Sequence, residues 1–465
     1  MIRVTDGRNH IMKPATDAGK VSVSEKIGFV AANIGNLPLM SLLSSFFLIF
    51  YTDVVGLDPS RIATLFLISK IMDGISDPLM GFFLDRFPNT KMGKFRPMLI
   101  LGTIICVINY ILVWFGALWI PVGKYVVVYI TYLLLGWTFD VMDIALNSIL
   151  PVMSEDVKER NTLSLLKVIG FAAGSMVLSI IGPLLVANGT LKEYYILIFG
   201  SMLITLVFSV GGALLIKERV AFKGDEEEKY SFRDLLGFFR LPPVSSLFLT
   251  SLVFGIGTYL TGANTFFYTY VMGDLKLMSS VTMFQYMGMM PMMLLSPIIA
   301  NKIGKKKACS IGLTLAGCGF LIRLLSPTSY KLACIGTLLF GIGSGTFAPM
   351  AYGLQADNTS YVEYHTGKHA EAAIASLNSF ITKVAQGIAG ALPGYILSYS
   401  GYVPNSAVQT PSALRGLISS AVTLPGILLL LGALVFTFGY RLTEEEVSQI
   451  SEELRIKHAR ISDQQ

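Results

Sequence analysis

The chain has 465 residues, 53% of them hydrophobic and 14% charged, a balance too apolar for a water-soluble domain and suited to a polytopic membrane protein. Its formal net charge of +6 does not imply a nucleic-acid partner, because the basic residues fall in short loops between apolar runs, where membrane topology accounts for them. Cys106, Cys309, Cys318 and Cys334 lie inside apolar runs without Cys-x-x-Cys or His-linked spacing, which argues against zinc and redox chemistry and fits packing residues.

Residues 1–26 are polar, contain Lys and Arg and lack a small-residue cleavage site, so a cytoplasmic N-terminal tail is expected rather than a secretory signal. A membrane-spanning helix needs about 20 mostly apolar residues. Twelve segments qualify, near 27–51, 60–84, 98–120, 125–150, 163–187, 193–216, 244–272, 279–300, 308–326, 331–353, 369–398 and 414–440. The loops after the second, fourth, sixth and eighth segments hold most of the loop Lys and Arg residues, from Arg86 to Lys307. That bias places those loops and both tails on the cytoplasmic side of a cell membrane, inner or plasma.

The expected fold is therefore an all-α membrane protein of twelve transmembrane helices in two six-helix, pseudo-symmetric bundles. Its parts are the tail 1–26, the bundle 27–216, a cytoplasmic linker 217–243, the bundle 244–440 and a cytoplasmic tail 441–465. The linker turns acidic at 225–228 and then amphipathic over 231–240, where Ser231 and Asp234 suggest a helix cap. Two basic stretches, Gly93-Lys94-Phe95-Arg96 after segment two and Lys305-Lys306-Lys307 after segment eight, echo one another as the related halves of a secondary transporter would. The last stretch, from Thr443 to His458, reads as a solvated helix. Gly341-Ile342-Gly343-Ser344-Gly345 is expected to pack helices, because no Lys-Ser or Lys-Thr follows to make a phosphate loop.

Polar residues inside the apolar runs mark the chemistry. Asn33 and Asn36 share a face of the first helix and suit a hydroxylated substrate. Asp73 and Asp77 are four residues apart on the second helix, so their Cβ atoms stand about 5–6 Å apart. An ionisable group at the bilayer centre costs about 2.5–3.5 kcal/mol on insertion scales, so the pair demands a cation or a shared proton. With the hydroxyl of Ser76 they form a set of hard oxygen donors. On the fourth helix Asp140, Asp143 and Asn147 share one side; Asp140 is placed with the cation, Asp143 and Asn147 with the substrate. Lys167 on the fifth helix, Tyr268 on the seventh, and Lys383 with Gln386 on the eleventh complete the candidate substrate residues. Lys383 is expected to exchange its acidic partners for the coupling ion.

The runs Phe50-Tyr51-Thr52-Asp53-Val54-Val55-Gly56, Met72-Asp73-Gly74-Ile75-Ser76-Asp77-Pro78 and Gly93-Lys94-Phe95-Arg96-Pro97 carry a family likeness, together with Ala356-Asp357, Glu363-Tyr364 and Gln409-Thr410-Pro411. On these motifs the chain resembles the glycoside-pentoside-hexuronide:cation symporter family of the major facilitator superfamily, its first half nearer the melibiose permease and its second nearer the glucuronide carrier. The resemblance implies that Asp73 and Asp77 match the family's cation-site acids, Asp143 a sugar-binding acid and Lys383 the helix-eleven lysine. It also implies that Lys167 stands near the place of a helix-five arginine. Asp140, Asn147 and Leu37 depart from the melibiose pattern, so melibiose itself is not the expected substrate. The expected function is a symporter, coupled to sodium or protons, that imports a glycoside, oligosaccharide or hexuronide by alternating access, with Asp73 and Asp77 as the ligands if the ion is sodium. It is expected to be a monomer without a cofactor, and not an enzyme. A sodium-dependent lysolipid transporter of the same fold is the alternative, followed by a sugar sensor that transports nothing.

Overall fold

In the computed structural model the described residues are 20–36, 38–86, 88, 90–120, 123–220, 237–367, 371–406 and 408–462, with the side chains of 38, 74–86, 157, 372 and 457–462 left aside. The proposed cap at Ser231 and Asp234 and the acidic run of the linker lie outside them, as does Leu37.

Among the described residues twelve long helices follow in order. They are α1 (Val23–Val54), α2 (Pro59–Arg86), α3 (Phe95–Trp119), α4 (Lys124–Met153), α5 (Val157–Leu185) and α6 (Leu191–Leu215), then α7 (Pro242–Val271), α8 (Lys276–Ile303), α9 (Lys305–Leu325), α10 (Tyr330–Thr366), α11 (Glu371–Ser400) and α12 (Pro411–Gly439). Ten of them are long and apolar enough to cross a membrane. The two that fall short, α2 and α11, are those that carry Lys70, Asp73, Asp77 and Lys383. The local signals are ordinary ones: Asp156 caps α5, Thr190 and Glu193 form a capping box on α6, and Pro411 opens α12.

The halves repeat one another in detail. Phe50-Tyr51-Thr52-Asp53-Val54 ends α1 and Phe267-Tyr268-Thr269-Tyr270-Val271 ends α7, each as a single π turn. The chain leaves both turns by the same bonds. Val55 N–H donates to Phe50 O and Leu57 N–H to Tyr51 O; Met272 N–H donates to Phe267 O and Asp274 N–H to Tyr268 O. At the other end of the bundle, where the first and last described residues lie, Glu218 accepts from the backbone N–H groups of Lys94, Phe95 and Arg96 at 2.7–2.8 Å. Glu444 does the same for Lys305 N–H at 2.6 Å. In both cases a glycine of positive φ, Gly93 or Gly304, precedes the capped helix.

The segment read as solvated, from Thr443 on, forms the helix α13 (Glu444–Ser462), and one face of it docks. Ile450 and Leu454, four residues apart, are buried in a cluster with Leu354, Phe436 and Tyr440. Gly341 and Gly345 of α10 lie directly against the backbone of Gln285 and Met289 on α8, so this glycine run packs helices, as the sequence suggests.

Contacts between the halves gather toward the end away from the termini. Asp53 accepts from the Tyr270 hydroxyl at 2.5 Å and the Tyr402 hydroxyl at 2.7 Å, and Asn405 donates to the Asp53 carbonyl. Thr265 donates to Ser45 O at 2.5 Å, and Thr64 and Tyr395 share a hydrogen bond of 2.9 Å. These contacts close that end over a central cavity.

Candidate functional site

The cavity has a volume of about 700 Å³ and lies between the halves, lined by α1, α2, α4 and α5 on one side and α7 and α11 on the other. Its polar wall begins on α2. Asp73 is 8% exposed, and Lys70 Nζ donates to its Oδ2 at 2.6 Å. The three-residue spacing puts both side chains on one helix face. Gly136 of α4 leaves room for the carboxylate, since a Cβ there would stand 2.8 Å from Asp73 Oδ1. Asp140 lines the same cavity one turn along α4, and Lys383 and Gln386 of α11 face it from the other half.

A second set of polar groups runs from the cavity wall toward the terminal end. Asn36 Nδ2 donates to Asp143 Oδ1 at 2.6 Å, Asn147 Nδ2 donates to Asp143 Oδ2 at 2.9 Å, and Lys167 Nζ donates to Asn147 Oδ1 at 2.6 Å. Four side chains from α1, α4 and α5 thus form one chain of charge-assisted hydrogen bonds. Asn36 and Asp143 line the cavity.

Six of the candidate residues, Asn36, Asp73, Asp140, Asp143, Lys383 and Gln386, therefore meet in one cavity, with Asn147 and Lys167 attached through Asp143. Two others stand elsewhere. Asn33 donates to Phe29 O of its own helix at 2.8 Å, with its Cβ packed toward Gly170 of α5. Its amide is spent inside the helix pair, which is why spacing alone misplaced it. Tyr268 is buried inside the second half, beside Arg323, about half a turn around the helix from Tyr259, which faces the central cavity. Ser76 and Asp77 continue α2, with their side chains outside the described set. Among the described residues no group of three His, Cys, Asp or Glu side chains closes on a single point. Lys70 escaped sequence reasoning, although its place three residues before Asp73 was the signal.

A family model described as "MFS/sugar transport protein" matches residues 28–444. The chain belongs to that family, the glycoside-pentoside-hexuronide:cation symporters of the major facilitator superfamily. It is 29% identical over 447 residues to the uncharacterized symporter YnaJ of Bacillus subtilis, covering 94% of this chain and 95% of that one. It is 29% identical over 440 residues to the glucuronide carrier protein homolog of Escherichia coli, covering 92% and 94%. The crystal structure of the nucleoside transporter NupG superposes with a TM-score of 0.62 at 13% identity, over 90% of this chain and 100% of that one, which speaks for the fold alone. As a major facilitator protein the chain is a multi-pass membrane transporter and not an enzyme.

In this family setting the two polar groupings fall on opposite sides of one helix interval. Asp140 lies beside the α2 pair and Asp143, three residues on, anchors the Asn36–Asn147–Lys167 chain. One helix, α4, thus carries both a carboxylate beside the α2 ion pair and the carboxylate that anchors the amide and ammonium chain.

Proposed function

We propose that this transporter is a symporter that uses a cation gradient to import a glycoside, oligosaccharide or hexuronide. The observation that carries the reading is the Lys70–Asp73 ion pair in the wall of the central cavity. A carboxylate at membrane depth needs a positive partner. Lys70 is that partner here, and a sodium ion or proton arriving at Asp73, with Asp77, Ser76 and Asp140 as further oxygen donors, takes its place. The released ammonium of Lys70 then joins Lys383 in meeting an acidic or hydroxylated substrate. Asp143, held by Asn36 and Asn147, and Gln386 accept and donate to sugar hydroxyls, while Phe66, Tyr132 and Phe171 offer apolar faces for the ring.

The contacts at the far end support alternating access. With the terminal end cytoplasmic, as the basic loops argue, the closed end is the outer one and this is the state from which substrate is released inward. The protein works as a monomer, its site complete within one chain. The test is uptake into proteoliposomes of a panel of neutral glycosides and uronides under separate sodium and proton gradients. Accumulation of one class under one gradient is expected, and Asp77→Asn should abolish uphill uptake while sparing exchange of labelled for unlabelled substrate. Uphill uptake at the wild-type level in that variant rejects the coupling role.

One observation favours an amphiphilic cargo instead. A cleft of about 380 Å³ between α5 and α8 is lined by Met176, Ile180, Met283, Met287, Met290 and Pro291, an apolar surface that suits a lysolipid chain. Competition by a lysolipid against the best glycoside, at concentrations that leave the liposomes intact, separates the two readings.

A further inference from the structure

Arg323 is an expensive residue to have inside a helix bundle. It stands in the tight turn Ile322–Leu325 that ends α9 and is 4% exposed. Its guanidinium carbon lies 4.9 Å from the centre of the Phe267 ring and 5.9 Å from those of Tyr268 and Phe320. Its Nε and Nη2 donate to nothing, and among the described residues it forms no ion pair. A guanidinium does not deprotonate in a protein, so this charge cannot be relieved by losing a proton as a buried lysine's can. Aromatic faces offset a part of the desolvation, but they leave the N–H donors unmade.

The same side chain lines a small cavity. It has a volume of about 70 Å³, lies among α7, α8, α9, α10 and α12, and is lined by Arg323, Asn264, Thr282, Gln285 and Thr337. Asn264 Oδ1 is buried there without a partner as well. One water needs roughly 10–15 Å³ measured in this way, so the space admits a small ion with a few waters and excludes a sugar. A single positive charge calls for a single negative one. The amide of Asn264 donates to an anion through Nδ2 or holds a bridging water through Oδ1.

We propose that this cavity is a binding site for a small monovalent anion, a halide or a formate-sized carboxylate, held by the guanidinium of Arg323 within the second half of the transporter. It is separate from the central cavity: Asn264 and Tyr268 face it from one side of α7, while Tyr259 and Gly262 of the same helix face the central cavity. The anion neutralises Arg323 and ties five helices together.

The test uses the full-length purified protein in detergent, at fixed sodium concentration and ionic strength with gluconate as the large reference anion. Replacing gluconate by chloride, bromide, formate or acetate should raise the unfolding temperature saturably. A response to halides alone or to carboxylates alone names the source, and either supports the site. Arg323→Gln should abolish the anion-dependent part of the shift whatever its own baseline. If that variant cannot be purified, crystals of the unaltered protein grown in bromide should show an anomalous peak within hydrogen-bonding distance of the guanidinium. A melting temperature indifferent to the anion, a shift that persists in Arg323→Gln, or bromide-grown crystals whose cavity holds only water would overturn the proposal.

Discussion

Gly136 has no side chain where Asp73 Oδ1 needs the space, and that single clearance ties α4 to the ion pair on α2. A methyl group there would stand 2.8 Å from the carboxylate oxygen, so Gly136→Ala should turn Asp73 off its present axis. The expected result is about a tenfold loss of affinity for the coupling ion, ~1.4 kcal/mol, with unpowered substrate exchange preserved. Half-saturation of uptake by sodium, or its pH profile if the ion is a proton, is the measurement, and an unchanged value refutes it. Asn147 is the joint between Lys167 and Asp143. Asn147→Leu should leave Lys167 without its acceptor and Asp143 with Asn36 alone, and raise the substrate concentration for half-maximal exchange roughly tenfold, with expression unaffected. At this scale the sequence was most informative where charge met hydrophobicity. Asp73, Asp140, Asp143 and Lys383 announce themselves because a bilayer tolerates few such groups. Asn33 and Tyr268 did not sort themselves, since an amide can spend its hydrogen bonds on its own helix and a tyrosine can face the interior of its own bundle as readily as the cavity between bundles. Lys70 was concealed by its neighbours: beside two acids it read as part of the run that they define.

Among the elements, α3 and α9 are each started by a glutamate brought from the residues that follow α6 or α12. Glu218 satisfies three backbone N–H groups, whereas the Glu444 contact is with the N–H of Lys305. Removing such a cap costs about 0.5–2 kcal/mol. Glu218→Ala should therefore lower the unfolding temperature in detergent more than Glu444→Ala does; equal or reversed shifts would show that the capping bonds are not what these residues contribute. Ten of the helices were legible from apolar length alone, and α2 and α11 only with their charged residues allowed for. The docking of α13 was not, because its many Glu and Lys residues conceal a narrow stripe in which Ile450 and Leu454 recur at helical spacing. The π turns carry no signature in a single copy and become visible only when Phe50-Tyr51-Thr52 is set beside Phe267-Tyr268-Thr269.

For the molecule as a whole, Asp53 is the residue on which the closure at the far end converges. Two hydroxyls and an amide from the second half meet its carboxylate and carbonyl. Asp53→Ala should shift the population toward the state open at that end. A cysteine placed at the cavity-lining position Phe66, in a background where the exposed Cys318 is replaced by serine, should then react several-fold faster with an impermeant thiol reagent added from outside. No acceleration would mean that the helix contacts near Thr265 and Tyr395 suffice to hold the end shut.

The same place records how the two halves parted. Asp53 and Tyr270 occupy the same position of the repeated turn, yet they are hydrogen-bonded to each other across the molecule. Had both copies kept an acid, the contact would join two like charges and push the halves apart; had both kept a phenol, it would lose its anionic acceptor. The closure thus depends on the duplicated segments having become unlike at one letter, as a handshake needs a left and a right partner. Exchanging the letters, with Asp53→Tyr and Tyr270→Asp together, should restore much of the slow thiol labelling that either change alone destroys.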